Sequence, residues 1–208
     1  KASARRAGPV ADPFADPEPE LLVGPLSDTH LCLLNKFPVL ARHLLVVTRG
    51  FAPQEAPLDA ADWTALAACL AGTDGLGFYN GGAVAGASQP HKHLQLVPLP
   101  MAGGAGEAGG AGEARVAGGS EPELPIAPWL AAATARAGPQ QLPGPPFAHA
   151  FAPVAPAWFA DPAGAGRLLA ALADATLAAA GVRSEPAPGG GRVATPYNLL
   201  VTRRWLFV

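Results

Sequence analysis

The segment Ser88-Gln89-Pro90-His91-Lys92-His93-Leu94-Gln95 lies between a glycine-rich stretch, Gly81-Gly82 to Gly86, and the apolar run Leu96-Val97-Pro98-Leu99. On an extended chain, side chains at i, i+2 and i+4 point to one face. As a strand, the segment would set His91, His93 and Gln95 in one polar row, with Lys92 and Leu94 on the opposite face. That row offers a nucleophilic imidazole, a second imidazole and an amide. A sheet that carries it must bury Leu94 on one side and keep a reactive surface on the other.

The rest of the chain supplies partners for such a sheet. Strands are expected over residues 29–36, 43–48, 77–79 and 92–99, over 147–151, and in one or two pieces between Tyr197 and Val208. A helix is expected after Asp59, which can serve as N-cap with Asp62 as capping-box partner. Trp63, Leu66 and Leu70 give it an apolar stripe, and Gly72 and Gly75 end it. Asp161-Pro162 opens a second long helix that runs to Gly181, and Trp129 centres a short one within 125–137. Residues 1–28 read as a proline-rich extended arm, and 186–191 as a loop. Residues 102–120 are almost entirely Gly, Ala and Glu. They are expected to form a flexible low-complexity insertion, because they carry too little apolar surface to offset their ordering entropy. Strands and helices do not alternate regularly. The expected fold is therefore α+β, an antiparallel sheet with flanking helices in a single catalytic domain spanning 1–208.

Composition narrows the function. Half of the 208 residues are hydrophobic, only 14% are charged, and the net charge is −2. No basic patch of the kind that binds nucleic acid is expected, and no apolar run reaches the roughly 20 residues of a membrane span. The two cysteines, Cys32 and Cys69, lack metal spacing and read as buried small apolar residues in a reducing compartment. The chain starts at Lys1 without an initiator methionine and ends inside the strand-like Trp205-Leu206-Phe207-Val208, so a fragment cut at both ends is expected. A cytoplasmic location is expected, with an organelle left open because a leader would have been lost with the N-terminus.

Neutral imidazole is a good nucleophile at physiological pH. It can displace a phosphate leaving group and hold a nucleotidyl group covalently. Gln95, Ser88 and Gln89 supply neutral donors for phosphate oxygens, and amides near Gly86-Ala87-Ser88 could add more. Two histidines two apart could instead ligate a metal, with a third ligand drawn from His30, His43, His149 or a carboxylate. A purely structural row is the third reading.

Three ordered motifs add a resemblance. Asn80-Gly81-Gly82 through Gly86-Ala87-Ser88-Gln89-Pro90-His91-Lys92-His93-Leu94-Gln95 resembles the active-site segment of ATP adenylyltransferases, also called diadenosine tetraphosphate phosphorylases, of the histidine-triad superfamily. Leu33-Leu34-Asn35-Lys36-Phe37-Pro38-Val39, followed by Arg42-His43-Leu44-Leu45-Val46-Val47-Thr48, is similar to a second family motif, and Tyr197-Asn198-Leu199-Leu200-Val201-Thr202 to a third. The resemblance covers most of 12–100, then 142–151 and 197–208. Family sequences continue past Val208 with further substrate contacts.

The resemblance implies a histidine-triad-like fold and gives His93 the adenylyl group, with His91 and Gln95 flanking it. Glutamine in place of a third histidine fits transfer to phosphate rather than to water. The resemblance also implies substrate binding by Asn35, Lys36, Asn80, Gly86, Ala87, Ser88 and Gln89, and by Lys1 if it is the family's upstream lysine. The implied ligands are a dinucleoside polyphosphate, phosphate, ATP and ADP. Magnesium would arrive with the polyphosphate, and no organic cofactor is implied. Other substrates for the same fold are another dinucleotide, adenosine phosphosulfate or a nucleotide sugar; a non-catalytic nucleotide-binding fragment is the remaining alternative. His43 is expected to support the fold, and His30 to be exposed or structural. His149 matches a family motif without an assigned role. Arg203 and Arg204 could meet phosphate, but a solvated role at a strand end is expected.

Overall fold

Side chains alternate between the two faces of the central strands, and that alternation divides the molecule into two layers. The structure is a computed structural model that describes residues 12–38, 40–99, 124–130, 133, 136–188 and 190–208. Its strands and α-helices in chain order are β1 (Leu22–Pro25), β2 (His30–Leu34), β3 (Leu44–Thr48), α1 (Ala60–Gly72), β4 (Gly75–Asn80), β5 (His93–Pro98), α2 (Ala127–Leu130), β6 (Phe151–Pro153), α3 (Pro162–Ala179), β7 (Ser184–Pro186), β8 (Arg192–Ala194), β9 (Asn198–Val201) and β10 (Trp205–Phe207). Eight strands form one sheet in the order β1-β2-β3-β5-β4-β9-β10-β6, and β7 and β8 form a separate hairpin. Every pairing is antiparallel, which makes the fold α+β.

One face of the sheet carries Cys32, Val46, Leu94, Leu96, Leu199, Val201 and Leu206, and packs on α1 and α3. Helix α1 begins where expected. Asp59 Oδ1 accepts from the amides of Ala61 at 2.8 Å and Asp62 at 3.0 Å, and the Asp62 carboxylate accepts from the Asp59 amide at 2.8 Å, completing a capping box. Trp63, Leu66 and Leu70 point into the core. Helix α3 crosses α1 closely at Gly166, where a Cβ would stand 2.6 Å from Thr64 Cα; only glycine fits that contact. Arg203 caps the other end of α1. Its guanidinium donates to the carbonyls of Leu70 and Ala71, which would otherwise lack partners at the helix C-terminus. It is therefore not the solvated strand-end residue the sequence suggested.

Among the described residues, no long helix packs on the opposite face. Register places Leu33, Leu45, Gln95, Phe78, Leu200, Phe207 and Phe151 in one row across seven strands. At the β10 end this face is covered by Leu124, Leu142 and Trp129. At the β2–β3 end it is covered by Phe14, which packs with Leu33, Leu45 and Val47. Between these covers lies the site.

Three further expectations change. The N-terminal arm is not wholly irregular, because Leu22–Pro25 adds an edge strand to β2. The strand expected at 147–151 is Phe151–Pro153 instead. Residues 147–149 turn there, because His149 donates from Nδ1 to the Phe147 carbonyl at 2.8 Å and accepts at Nε2 from the Leu142 amide at 2.9 Å. His30 is buried and hydrogen-bonded to Asp62, so the exposed reading of it fails and the structural one holds. The insertion expected at 102–120 and Lys1 lie outside the described residues.

Candidate active site

Strand β5 starts at His93, and its alternation puts His93 and Gln95 on the face opposite α1 and α3 while Leu94 and Leu96 enter the core. His93 is only 4% exposed. Its Nδ1–H donates to the His91 carbonyl at 2.9 Å, which fixes the tautomer and leaves the Nε2 lone pair available. Nε2 has no hydrogen-bond partner among the described residues, and the ring lines a cleft of about 400 Å³. Burial pulls the His93 pKa below its ordinary value. The bond to the His91 carbonyl opposes that pull, while the neighbouring His91 and His43 rings add to it. His93 is thus a neutral, oriented imidazole with one nitrogen facing a cavity, the form a nucleophile needs.

Gln95 is oriented by a chain that begins in the loop after β2. Asn35 Nδ2 donates to His43 Nδ1 at 3.2 Å, and His43 Nε2–H donates to Gln95 Oε1 at 3.0 Å. The chain requires neutral His43, and burial lowers its pKa against the opposing Gln95 hydrogen bond. With its oxygen engaged by His43, Gln95 presents its NH₂ group to the cleft as a donor. His43, expected only to support the fold, therefore also aims a cleft-lining amide. Asn35 Oδ1 accepts from the Phe37 amide at 3.0 Å, so the side chain is held at both ends.

His91 stands beside His93. It forms an isolated bridge with Pro53 before β5 begins. Its Nδ1–H donates to Asp12 at 2.7 Å, and its Nε2 meets Thr48 Oγ1 at 2.9 Å. The ring is 1% exposed and packed edge-on by Phe14 and Phe51 at centroid distances of 5.6 and 5.4 Å. Phe14 also lies 5.2 Å from the His93 ring. Asp12-Pro13-Phe14 thus ties the N-terminal arm to both histidines. With both nitrogens engaged, His91 offers the site its carbonyl and its bulk rather than a free lone pair.

Lys92 points the other way, as the alternation requires. Its ammonium donates to Asp62 at 2.9 Å and to the Pro57 carbonyl at 3.1 Å. His30 Nε2 meets the other Asp62 oxygen at 2.9 Å. Burial pushes the Asp62 pKa up, but the His30 hydrogen bond and the Lys92 charge outweigh it, and the carboxyl stays below its ordinary value. This buried charge cluster anchors the residue between the two histidines.

The cleft brings together His93, Gln95, Asn35, Lys36, Ser88 and Gln89, with Phe14, Asp16, Glu18, Leu33, Phe37 and Leu45 among the other lining residues. Lys36 is half exposed and paired with Glu18 across the cleft mouth. Asn80, Gly86 and Ala87 do not line the cleft. Asn80 ends β4, and Gly86 and Ala87 belong to the turn next to the cleft, where Gly86 takes a left-handed φ of +97°. The amides of Gly86 and Ala87 bond within that turn, to the carbonyls of Ala83 at 3.0 Å and Gly82 at 3.1 Å. They are therefore not the free phosphate donors expected from sequence. Among the described residues, no group of three or more His, Cys, Asp or Glu side chains is placed to hold a metal ion.

A buried neutral imidazole with one free nitrogen, beside an aimed amide and a cation at the cleft mouth, defines a site suited to nucleophilic group transfer. Residues 1–108 match the family described as Ap4A phosphorylase N-terminal domain, and the chain belongs to that family. In Saccharomyces cerevisiae, diadenosine tetraphosphate phosphorylase 2 is 38% identical over 103 residues, and Protein APA1 is 36% identical over 101 residues. Each alignment spans 43% of this chain and 32% of the yeast protein, so the chain matches about a third of these relatives' length. The crystal structure of yeast Ap4A phosphorylase Apa2 superposes with a TM-score of 0.67 at 28% identity, covering 94% of this chain and 61% of that one. Its complex with AMP gives a TM-score of 0.65 at 26% identity, covering 96% and 63%. Its complex with Ap4A gives 0.65 at 25% identity, covering 94% and 62%.

Proposed function

We propose that the chain carries the nucleotidyl-transfer site of an enzyme that cleaves diadenosine tetraphosphate with inorganic phosphate, giving ATP and ADP. His93 Nε2 attacks the phosphorus of an AMP moiety, an N–P bond forms, and ATP leaves. Phosphate then attacks the adenylyl-histidine, the N–P bond breaks, and ADP is released. The observation that carries this reading is the His93 geometry: Nδ1–H is tied to a carbonyl, and Nε2 lies at the cleft without a partner among the described residues. The Gln95 amide donates to the phosphoryl oxygens, where charge develops in the transition state. Lys36 meets the polyphosphate after parting from Glu18, with Asn35, Ser88 and Gln89 beside it. Magnesium travels with the substrate, held by its phosphates.

The family match and the yeast Apa2 structures with Ap4A and AMP support this substrate class. No helix among the described residues is long and apolar enough to cross a membrane. A cytoplasmic location accords with the free, buried Cys32 and Cys69. The test is product analysis with magnesium and diadenosine tetraphosphate, with and without phosphate. Equal ATP and ADP, formed only when phosphate is present, is the expected result; AMP with ATP in its absence would make the protein a hydrolase.

A further inference from the structure

Pairing between β4 and β5 runs from Gly75↔Pro98 to Phe78↔Gln95 and stops there. Two steps further in the same register, Asn80 would face His93. The side chain of Gln54 occupies that place. Its Oε1 accepts from the His93 amide at 2.8 Å, and its Nε2 donates to the His93 carbonyl at 3.1 Å and to the Asn80 carbonyl at 2.9 Å. One amide thus takes over bonds the two strands would otherwise make to each other. The residue is 1% exposed. Its own backbone is fixed on both sides: its amide donates to the Pro90 carbonyl at 2.8 Å, and its carbonyl accepts from the buried Tyr79 hydroxyl. The neighbouring Lys92 amide donates to the Ala52 carbonyl at 2.7 Å, so residues 52–54 run beside 90–92 as a short antiparallel pair.

We propose that Gln54 is a positioning residue that wedges β4 from β5, holding His93 away from Asn80 and fixing the height of the imidazole above the cleft. The inference rests on the reading of His93 as nucleophile. It follows from geometry: an unbroken ladder would draw the His93 backbone against Asn80 and tilt the ring away from its bond to the His91 carbonyl. Gln54 is not among the residues that line the cleft, so its effect on transfer must pass through His93.

The experiment uses the whole chain and its Gln54→Ala and Gln54→Glu variants. Two quantities are read: transfer of labelled adenylyl from diadenosine tetraphosphate to protein in a single turnover, and amide hydrogen exchange. Glutamate keeps an acceptor for the His93 amide but, when ionised, loses both donors to the carbonyls. Both variants should transfer label at least tenfold more slowly, with the half-saturating dinucleotide concentration changed less than threefold. Exchange at His93 should quicken in Gln54→Ala and stay slow in Gln54→Glu, with Leu96 unchanged in both. Transfer within twofold of the parent in both variants would overturn the proposal. So would a loss matched by equally faster exchange at Leu96, which marks general loosening. A parent that takes no label refutes the nucleophile reading instead, and exchange then decides alone: unchanged protection of His93 in Gln54→Ala overturns the wedge.

Discussion

His93 is polar yet almost wholly enclosed, and that enclosure sets its protonation. In the unfolded chain it takes a proton near pH 6.5; burial in the native state lowers that value. The unfolded state therefore binds more protons across this window, and stability contributed by His93 is present above about pH 6.5 and lost as pH falls toward the lower native value. The same shift keeps the imidazole unprotonated in mildly acid solution. The initial rate of label transfer should stay flat from pH 8 to about 6.5 and fall only below that. A decline that begins near pH 7.5 would contradict the neutral-imidazole account. Tyr197 poses the reverse problem. Its buried hydroxyl has no partner among the described residues, and burial raises its pKa. Tyr197→Phe removes a group whose desolvation is uncompensated. Urea unfolding should show stability unchanged or higher, and a loss above about 1 kcal/mol would reveal a partner.

At the scale of elements, β5 separates two lysines' fates. Lys92 reaches the cluster under α1, while Lys36 lies exposed at the cleft mouth. Removing one partner of a buried ion pair costs about 3–5 kcal/mol, and exposed pairs contribute about 0–1 kcal/mol. Lys92→Ala should therefore destabilise the protein severely in denaturant titrations, and Lys36→Ala by under about 0.5 kcal/mol. Lys36→Ala should instead weaken polyphosphate binding, with an effect that shrinks in high salt. Equal weakening for adenosine, which has no phosphate, would remove Lys36 from the site. The orientation of Lys92 was legible because a period of two fixes which side chains share a face. The α1 cap was legible because Asp59 and Asp62 stand three apart before an apolar stripe. Gln54 was not legible: it sits between prolines with no periodic pattern, and its partners are backbone atoms of residues 80 and 93. Asp12 and Phe14 were read only as parts of an arm, because their contacts with residue 91 span most of the N-terminal half. The strand expected at 147–151 was displaced by side-chain-to-backbone bonds of His149, which a propensity reading does not weigh.

In the molecule as a whole, the sheet divides labour between its faces. Helices α1 and α3 bury one face, and Asp62 of α1 holds the buried cluster with His30 and Lys92, so the strands carrying the site rest on a packed layer. The other face is covered at its two ends, by the arm around Phe14 and by the segment around Leu142 and Trp129, with the cleft beside the arm. This layout lets His93 be nearly buried and still face the cleft: its backbone and one ring nitrogen are held by the chain, and the other nitrogen has no partner among the described residues. On the function proposed above, His93 carries the nucleotidyl group. The most direct measurement is rapid-quench trapping with dinucleotide labelled in the adenylyl phosphate, followed by peptide mapping of the parent and His93→Ala. Label on His93 alone, absent from a folded His93→Ala protein, is the predicted result. Label on another residue, or turnover that survives in His93→Ala, would contradict it.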